Sequence, residues 1–366
     1  MFSATGGIEK VCRIVGKALH EHGLENNTLV NIMSMHDEVQ EADDNIYFPS
    51  EIFTGYGAAK ASFVMNAVKE GKHADIVFIS HINLLVIGWL IKKINPSAKI
   101  MLMAHGIEIW GELDTFKKRI LHCCDRILCV SNFTLETIAA KHGSQKNKLT
   151  VLNNCLDPFL NNRQTTAAEN NLRKRYSFKI NDTVLLTLTR LSARDRYKGY
   201  DAVLQAMINL VAQNNNTKYL LAGGSSNSEK LFIEELIQKN GLQKNVVLAG
   251  YVPENELATL FSMADLYVMP STKEGFGIVF IEAMYYGLPV IAGNTDGSTD
   301  ALLNGKLGLL IEPNSPKEIT LAVNKIMNDT DRYKPDHSLL MENFGYNTYK
   351  KKLEKILASQ LVTMEN

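Results

Sequence analysis

Glu274 and Glu282 stand eight positions apart, with Gly275-Phe276-Gly277 and an apolar stretch between them. Two carboxylates so placed can address one bound molecule, the first from a loop and the second from the helix that follows. Spacing alone is weak evidence, because such a pair arises by chance about once in a chain of this length. The surrounding pattern is more informative. An apolar run at 266–269 closed by Pro270 reads as a buried strand, and 271–277 reads as a polar loop broken by glycines. Residues 278–286 read as a buried helix ended by Gly287 and Pro289, and 290–292 as the next strand. In parallel arrangements of this kind, ligands sit at the carboxyl ends of the strands. Glycines there let backbone approach a ligand, and free N–H groups at a helix start favour an anion such as phosphate. Gly6-Gly7, ahead of a helix expected at 8–22 and ended by Gly23, offers the same chemistry.

The whole chain narrows the function classes. Its 366 residues suffice for two domains with substantial cores. Lysine plus arginine (39) equals aspartate plus glutamate (39), so no net field draws the protein to nucleic acid, and any basic site is local. Cys12, Cys123, Cys124, Cys129 and Cys155 are odd in number and lack metal-ligand spacing, which implies free thiols in a reducing compartment. No basic segment followed by an apolar core opens the sequence, so no secretory leader is expected. The run 84–91 is far shorter than the roughly twenty residues that span a bilayer. The expectation is a cytoplasmic protein, with room for peripheral membrane contact through one helix face.

Strands expected at 29–33, 76–80, 99–103 and 126–130 alternate with helices at 57–69, 83–93 and 133–141, the last capped by Ser131 or Asn132. Further strands at 183–189, 218–222 and 246–249 flank a helix at 229–240. Alternation of this kind indicates parallel sheets covered by helices on both faces. The polar stretch 158–171 reads as a linker, 316–328 and 343–361 as amphipathic helices, and Asp329-Thr330-Asp331 as a surface turn rather than a metal motif. No metal ligand is assigned.

Glu274 through Gly277, with Glu282, Ala283 and the Gly287-Leu288-Pro289-Val290 turn, resembles the E-x7-E signature of retaining glycosyltransferases of the GT-B fold, and among them glycosyltransferase family 4. The resemblance runs from Gly6 to about residue 357 in matching order. It implies two Rossmann-like domains with parallel sheets facing across a donor-binding cleft, an amino-terminal acceptor-side domain at 1–165 and a nucleotide-sugar domain at 166–342. The helix at 343–361 would complete the first of these. By the same resemblance Glu274 faces the donor sugar, Glu282 the ribose, and Gly275, Phe276 and Gly277 the donor. Arg190 and Lys198, in TRLSARDRYKGYD, match the residues that grip the donor phosphates, aided by Gly6 and Gly7. Gly250 and Val252 match the turn against the nucleotide base, and His105, in AHGIEIW, matches a histidine that touches the sugar hydroxyls. His81 reads as structural, while Glu108 and Trp110 are open between lining an acceptor cleft and packing.

Some positions depart from the family pattern. Only five residues precede Gly6, so the resemblance implies a first strand that is missing or truncated. Cys155 replaces a glycine in a segment where Asn154 and Asp157 match, which would cost stability at a positive φ. Gly297-Ser298 stands where relatives have two glycines, and Asp300 where many have glutamate.

The implied activity is metal-independent, retaining transfer of a sugar from a UDP- or GDP-linked donor to an acceptor hydroxyl, in polysaccharide or glycolipid assembly. The nucleotide-sugar is a co-substrate and no further cofactor is expected. The partners implied are that donor and a saccharide or lipid-linked saccharide acceptor, not nucleic acid. The alternatives are another GT-B enzyme, such as a nucleotide-sugar epimerase or a phosphorylase, or a non-catalytic nucleotide-sugar-binding relative.

Overall fold

Short apolar runs joined through helices must pair in parallel, because a parallel neighbour is reached only by a crossover. The computed structural model describes residues 1–3, 6–161 and 165–361, with backbone alone at 143–145. The chain divides into two units, one comprising Met1–Pro158 and Gly345–Asn366, the other Phe159–Phe344. The family resemblance implies divisions after residue 165 and before residue 343 instead.

The first unit runs α1 (Gly7–Asn26), β1 (Ile32–Ser34), β2 (Phe53–Gly55), α2 (Lys60–Gly71), β3 (Ile76–Ile79), α3 (Leu85–Ile94), β4 (Lys99–Ala104), α4 (Ile107–Trp110), α5 (Thr115–Leu121), β5 (Arg126–Cys129), α6 (Asn132–His142) and β6 (Leu149–Val151). Its strands form a parallel pair, β1-β2, and a four-stranded parallel sheet in the order β3-β4-β5-β6. Among the described residues no strand precedes α1. In β4, Ile100, Met101 and Leu102 are wholly buried, as a strand covered on both faces requires. Helix α1 does not stop at Gly23 but continues to Asn26, with Asn27 in the left-handed region at φ 53°. Gly23 instead permits close packing, since a Cβ there would lie 2.8 Å from Val30 Cγ2 and 2.9 Å from the Thr28 carbonyl.

The second unit runs α7 (Thr166–Arg175), β7 (Thr183–Leu188), α8 (Tyr200–Gln213), β8 (Thr217–Ala222), α9 (Asn227–Lys239), β9 (Val246–Gly250), α10 (Glu254–Met263), β10 (Leu266–Met269), α11 (Ile278–Tyr285), β11 (Val290–Gly293), α12 (Ser298–Ala301), β12 (Leu309–Ile311), α13 (Pro316–Asn328), α14 (Thr330–Tyr333) and α15 (His337–Phe344). Six parallel strands lie in the order β12-β11-β10-β7-β8-β9. The chain builds outward from β7 to β9, then returns to β10 and builds the other way. The carboxyl ends of β7 and β10 are thus a topological switch point, where a doubly wound sheet opens a crevice.

Two expectations are corrected. Much of the polar stretch 158–171 is not a linker, because α7 begins at Thr166, capped by Thr165 Oγ1 accepting from Ala168 N at 3.4 Å. Residues 162–164 of that stretch lie outside the described residues. The helix expected at 343–361 is broken at Gly345 into α15 and α16 (Tyr346–Leu361). The break lies where the chain leaves the second unit for the first, to which α16 is tied by Tyr346 Oη donating to Glu21 at 2.8 Å. Cys155 adopts no positive φ, so its replacement of glycine brings no backbone strain there. All five cysteines are free thiols.

Candidate functional site

The loops after β7 and β10 hold the candidate residues Arg190, Lys198 and Glu274 of the second unit. Beyond β7 the chain passes Arg190, forms a 3₁₀ turn over Ala193–Lys198 and enters α8 through Gly199, whose φ of 79° a side chain would strain. That path brings Lys198 Nζ into an ion pair with Glu274 Oε2 from the loop after β10. Each side chain keeps 16% of its exposure. Burial alone would pull the Lys198 ammonium down, yet the Glu274 carboxylate beside it holds it above its ordinary value. Tyr197 supports the same ammonium, its ring centroid 5.2 Å from Nζ.

Arg190 is engaged differently. Its Nε and Nη2 donate to Asp195 Oδ2 and Oδ1 at 2.8 and 3.0 Å, a forked pair in which the arginine side chain is 78% exposed and the aspartate buried. Burial would raise the Asp195 carboxyl, but Arg190 and Ser192 hold it below its usual value. Asp195 therefore presents an exposed guanidinium in a fixed direction, a role that a surface cluster of mixed charge does not announce in sequence.

A second unforeseen residue, Asp296, organises the Glu274 loop. Wholly buried, its Oδ2 accepts from Glu274 N and Ser271 Oγ, each at 2.6 Å, and its Oδ1 from Ser298 N at 2.9 Å. Burial lifts its carboxyl above the ordinary range despite these donors. Gly297 N donates to the Glu274 carbonyl at 2.8 Å, and a Cβ on Gly297 would stand 2.1 Å from the Gly275 oxygen. Only glycine fits so close an approach.

Gly275 and Gly277 lie in this loop, and Gly277 opens α11 at φ 87°. The Phe276 ring turns inward instead, 1% exposed and edge-on to Phe344 with centroids 5.4 Å apart, so that residue offers the crevice only its backbone. Glu282 lies in α11 and is 6% exposed. Gly250 closes β9 at φ 71°, its carbonyl accepting from Gly223 N at 2.8 Å, and Val252 is buried just beyond.

Three expected residues fall in the first unit. His105 Nε2 lies 2.7 Å from the Ser80 carbonyl, which only accepts, so that nitrogen carries the proton and Nδ1 is left as an acceptor. Burial depresses the imidazole pKa against the opposing pull of Glu108, and Glu108 also accepts from His105 N at 2.6 Å. Trp110 packs edge-on to Phe133, centroids 5.1 Å apart. Gly6 caps α1 and Gly7 begins it; Glu9 Oε2 lies 2.4 Å from where a Gly6 Cβ would be, while nothing stands within 4 Å of a Gly7 Cβ. Ser131 caps α6, its Oγ accepting from Thr134 N at 3.0 Å.

Comparison with known proteins agrees with the fold. The family described as "Glycosyl transferases group 1" matches residues 169–351, and "Glycosyltransferase Family 4" matches residues 5–158. The chain belongs to the group 1 glycosyltransferases, with an amino-terminal family 4 domain and the two-domain GT-B fold. It is 29% identical over 254 residues to the GDP-mannose-dependent alpha-(1-6)-phosphatidylinositol monomannoside mannosyltransferase of Mycobacterium tuberculosis (strain CDC 1551 / Oshkosh), covering 66% of this chain and 63% of that one. It is 26% identical to the capsular polysaccharide biosynthesis glycosyltransferase CapM of Staphylococcus aureus, covering 68% and 62%. The alignment thus spans less than two thirds of the length of these curated relatives. The crystal structure of Anabaena HepE with UDP-glucose superposes with a TM-score of 0.79 at 19% identity, covering 97% of each chain.

Proposed function

We propose that this chain is a retaining glycosyltransferase, moving a sugar from a UDP- or GDP-linked donor to a hydroxyl of a saccharide or lipid-linked saccharide in polysaccharide or glycolipid assembly. The observation that carries the reading is the Lys198–Glu274 pair at the switch point between β7 and β10. Names of relatives support the donor class. One is GDP-mannose-dependent, one serves capsular polysaccharide synthesis, and a structural neighbour was crystallised with UDP-glucose.

In this reading the departing nucleoside diphosphate gathers negative charge while the sugar becomes oxocarbenium-like, and groups that meet those charges better than the ground state lower the barrier. The exposed Arg190 guanidinium and Lys198 are the cations for the diphosphate. A unit-charge pair near 4 Å is worth about 4 kcal/mol at an effective dielectric of about 20, so two such cations can carry out the reaction without a metal. Lys198 would exchange its carboxylate partner for a phosphate, leaving Glu274 to face the sugar. Glu282 would hold the ribose, and the backbone of Gly250 and Val252 the base. His105, neutral and with Nδ1 free to accept, would take a sugar hydroxyl proton in a hydrogen bond, and a donor phosphate oxygen would receive the acceptor's proton. No helix among the described residues is long and apolar enough to cross a membrane. We place the enzyme in the cytoplasm, at the inner face of the membrane when its acceptor is a lipid.

The test is the melting temperature of the chain against a panel of nucleoside diphosphates and nucleotide-sugars with metals chelated. A ligand at about a hundred times its dissociation constant adds about 2.7 kcal/mol, which moves the transition visibly. A shift with one base names the donor class. No shift with any of them in a folded sample overturns the reading.

A further inference from the structure

Doubly wound sheets take their ligands at the carboxyl ends of the strands. In the second unit the amino ends also leave a cavity, of about 490 Å³. That volume falls within the range of about 300–1,000 Å³ found for small-molecule sites. Thr183 opens β7, Thr217 opens β8 and Asp265 immediately precedes β10, so three neighbouring strand starts meet there. The last turns of α8 and α13, which pack together, form its walls. Strand β7 is six residues long, so the cavity stands about 20 Å from the end of the sheet that carries Arg190 and Glu274.

The lining divides into an apolar floor and a polar rim. Leu210 and Val323, each 2% exposed, belong to the core, and with Met327 they give a floor that packing holds in place. Above them Asn324 Nδ2 donates to Gln213 Oε1 at 2.8 Å, bridging α13 and α8. The bridge uses one half of each amide. Gln213 Nε2 is left as a donor and Asn324 Oδ1 as an acceptor, neither hydrogen-bonded among the described residues. Asp265 is half used in the same way. Its Oδ2 accepts from Val184 N at 2.8 Å and from Arg173 Nη2 at 3.1 Å, while Oδ1 has no hydrogen bond among the described residues. These groups discriminate between ligand chemistries. Among the described residues lining the cavity Asp265 alone is charged, and Arg173 answers it, so an ionic ligand finds no partner waiting. Both helices present their carboxyl ends, which disfavours phosphate further. A hydroxyl both donates and accepts, and so matches a rim that sets a donor beside acceptors. The C–H face of a pyranose ring matches the aliphatic floor.

We propose that this cavity binds a neutral saccharide, with ring hydroxyls bonded to Gln213 Nε2, Asn324 Oδ1 and Asp265 Oδ1 and one ring face on Leu210, Val323 and Met327. The inference goes beyond the transfer reading, because the cavity lies at the opposite end of the sheet from the switch point and is read without a nucleotide.

The full chain, isotopically labelled on nitrogen, is titrated with maltose, lactose and methyl α-mannoside, and with glycerol and glucuronate as comparisons. The side-chain amide signals followed by NMR are those that vanish in Gln213→Ala and in Asn324→Ala. At least one neutral saccharide shifts them saturably, with excess nucleoside diphosphate present as well as without it. Asn328→Trp, at an exposed position of the cavity wall, blocks entry, so the same signals no longer move. Gln213→Ala with Asn324→Ala lowers the affinity about tenfold, read by saturation transfer to the saccharide, two hydrogen bonds having been removed. Glu274→Gln, at the other end of the sheet, leaves the shifts unchanged. A thermal melt of each variant verifies folding. The proposal is overturned if no saccharide moves these signals, if glycerol moves them as readily, or if glucuronate binds more tightly than the neutral sugars. Binding that survives both Asn328→Trp and the double substitution overturns it too. Saccharide binding here with no nucleotide shift would overturn the transfer reading alone, and the converse would overturn the saccharide site alone.

Discussion

Lys198 Nζ and Glu274 Oε2 form an ion pair across 76 positions of sequence, joining the loops that leave two adjacent parallel strands. The pair satisfies two charges that would otherwise be costly in a largely enclosed site. It also means that the cation proposed for the phosphates already has an anionic partner within the chain. A donor must replace one anion on Lys198 by another, and this exchange separates the roles of the two residues.

Glu274→Gln removes the competing anion and leaves the ammonium, so a nucleoside diphosphate should bind at least as tightly as before, while sugar transfer falls at least about a hundredfold. Lys198→Ala should weaken the diphosphate and abolish transfer together, and it leaves a carboxylate without its partner, costing up to about 3 kcal/mol of stability. Calorimetric titration with the nucleotide identified by melting shifts, paired with transfer assays, checks both. Equal loss of nucleotide affinity in the two variants would sink the assignment.

Acid should act on stability through a different pair. Glu229 of α9 is 1% exposed and accepts a fork from Arg196, Nε at 2.8 Å and Nη2 at 2.9 Å, with Tyr200 Oη donating at 2.7 Å. The Arg196 hydrogen bonds lower its pKa from an ordinary 4.5 against the opposing effect of burial. A carboxyl depressed on folding contributes stability that is present above its unfolded pKa and lost as pH falls through the folded value. Denaturation midpoints should therefore decline below about pH 4.5, and Glu229→Gln, less stable at neutrality, should show a shallower decline. Parallel pH profiles for the two proteins would remove Glu229 as the cause.

The elements that local chemistry specifies were legible before the structure. Helix α13 occupies the residues expected, because Ser315 caps it, Pro316 suits its first turn and its buried positions repeat at helical spacing. The strand, glycine loop and helix around Glu274 were legible for the same reason. Helix α7 was not. Its sequence is mostly polar, with Leu172 its one buried residue, and it is held by Arg173, which donates to the Met263 carbonyl at 2.8 Å and pairs with Asp265 at 3.1 Å, contacts made about ninety residues away. Gly345 gave no sign that it separates two units, since the apolar spacing on either side is continuous. Of the candidate site, the sequence singles out the charged members Arg190, Lys198 and Glu274, and not the residues that hold them. Asp195 and Asp296 act by accepting hydrogen bonds, and neither lies in a spacing that marks a partner.

Asp296 gives the last prediction its reach, because the loop bearing Glu274 is held from beneath. In Asp296→Asn one carboxylate oxygen becomes an NH₂ group facing Glu274 N and Ser271 Oγ, so donor meets donor and at least one buried hydrogen bond is lost, costing about 1–3 kcal/mol. Gly297→Ala attacks the same loop by another route, since its methyl group would stand 2.1 Å from the Gly275 oxygen and 2.7 Å from that of Glu274. The loop must then withdraw, at about 1–3 kcal/mol. Both variants displace Glu274 without touching its carboxylate. Transfer should therefore drop mainly in kcat, while nucleotide affinity through Arg190 changes little. Urea unfolding measures the stability loss, and steady-state kinetics with the identified donor separate kcat from KM. If the two variants unfold as the unaltered chain does and keep its kcat, Asp296 and Gly297 do not hold the Glu274 loop in place.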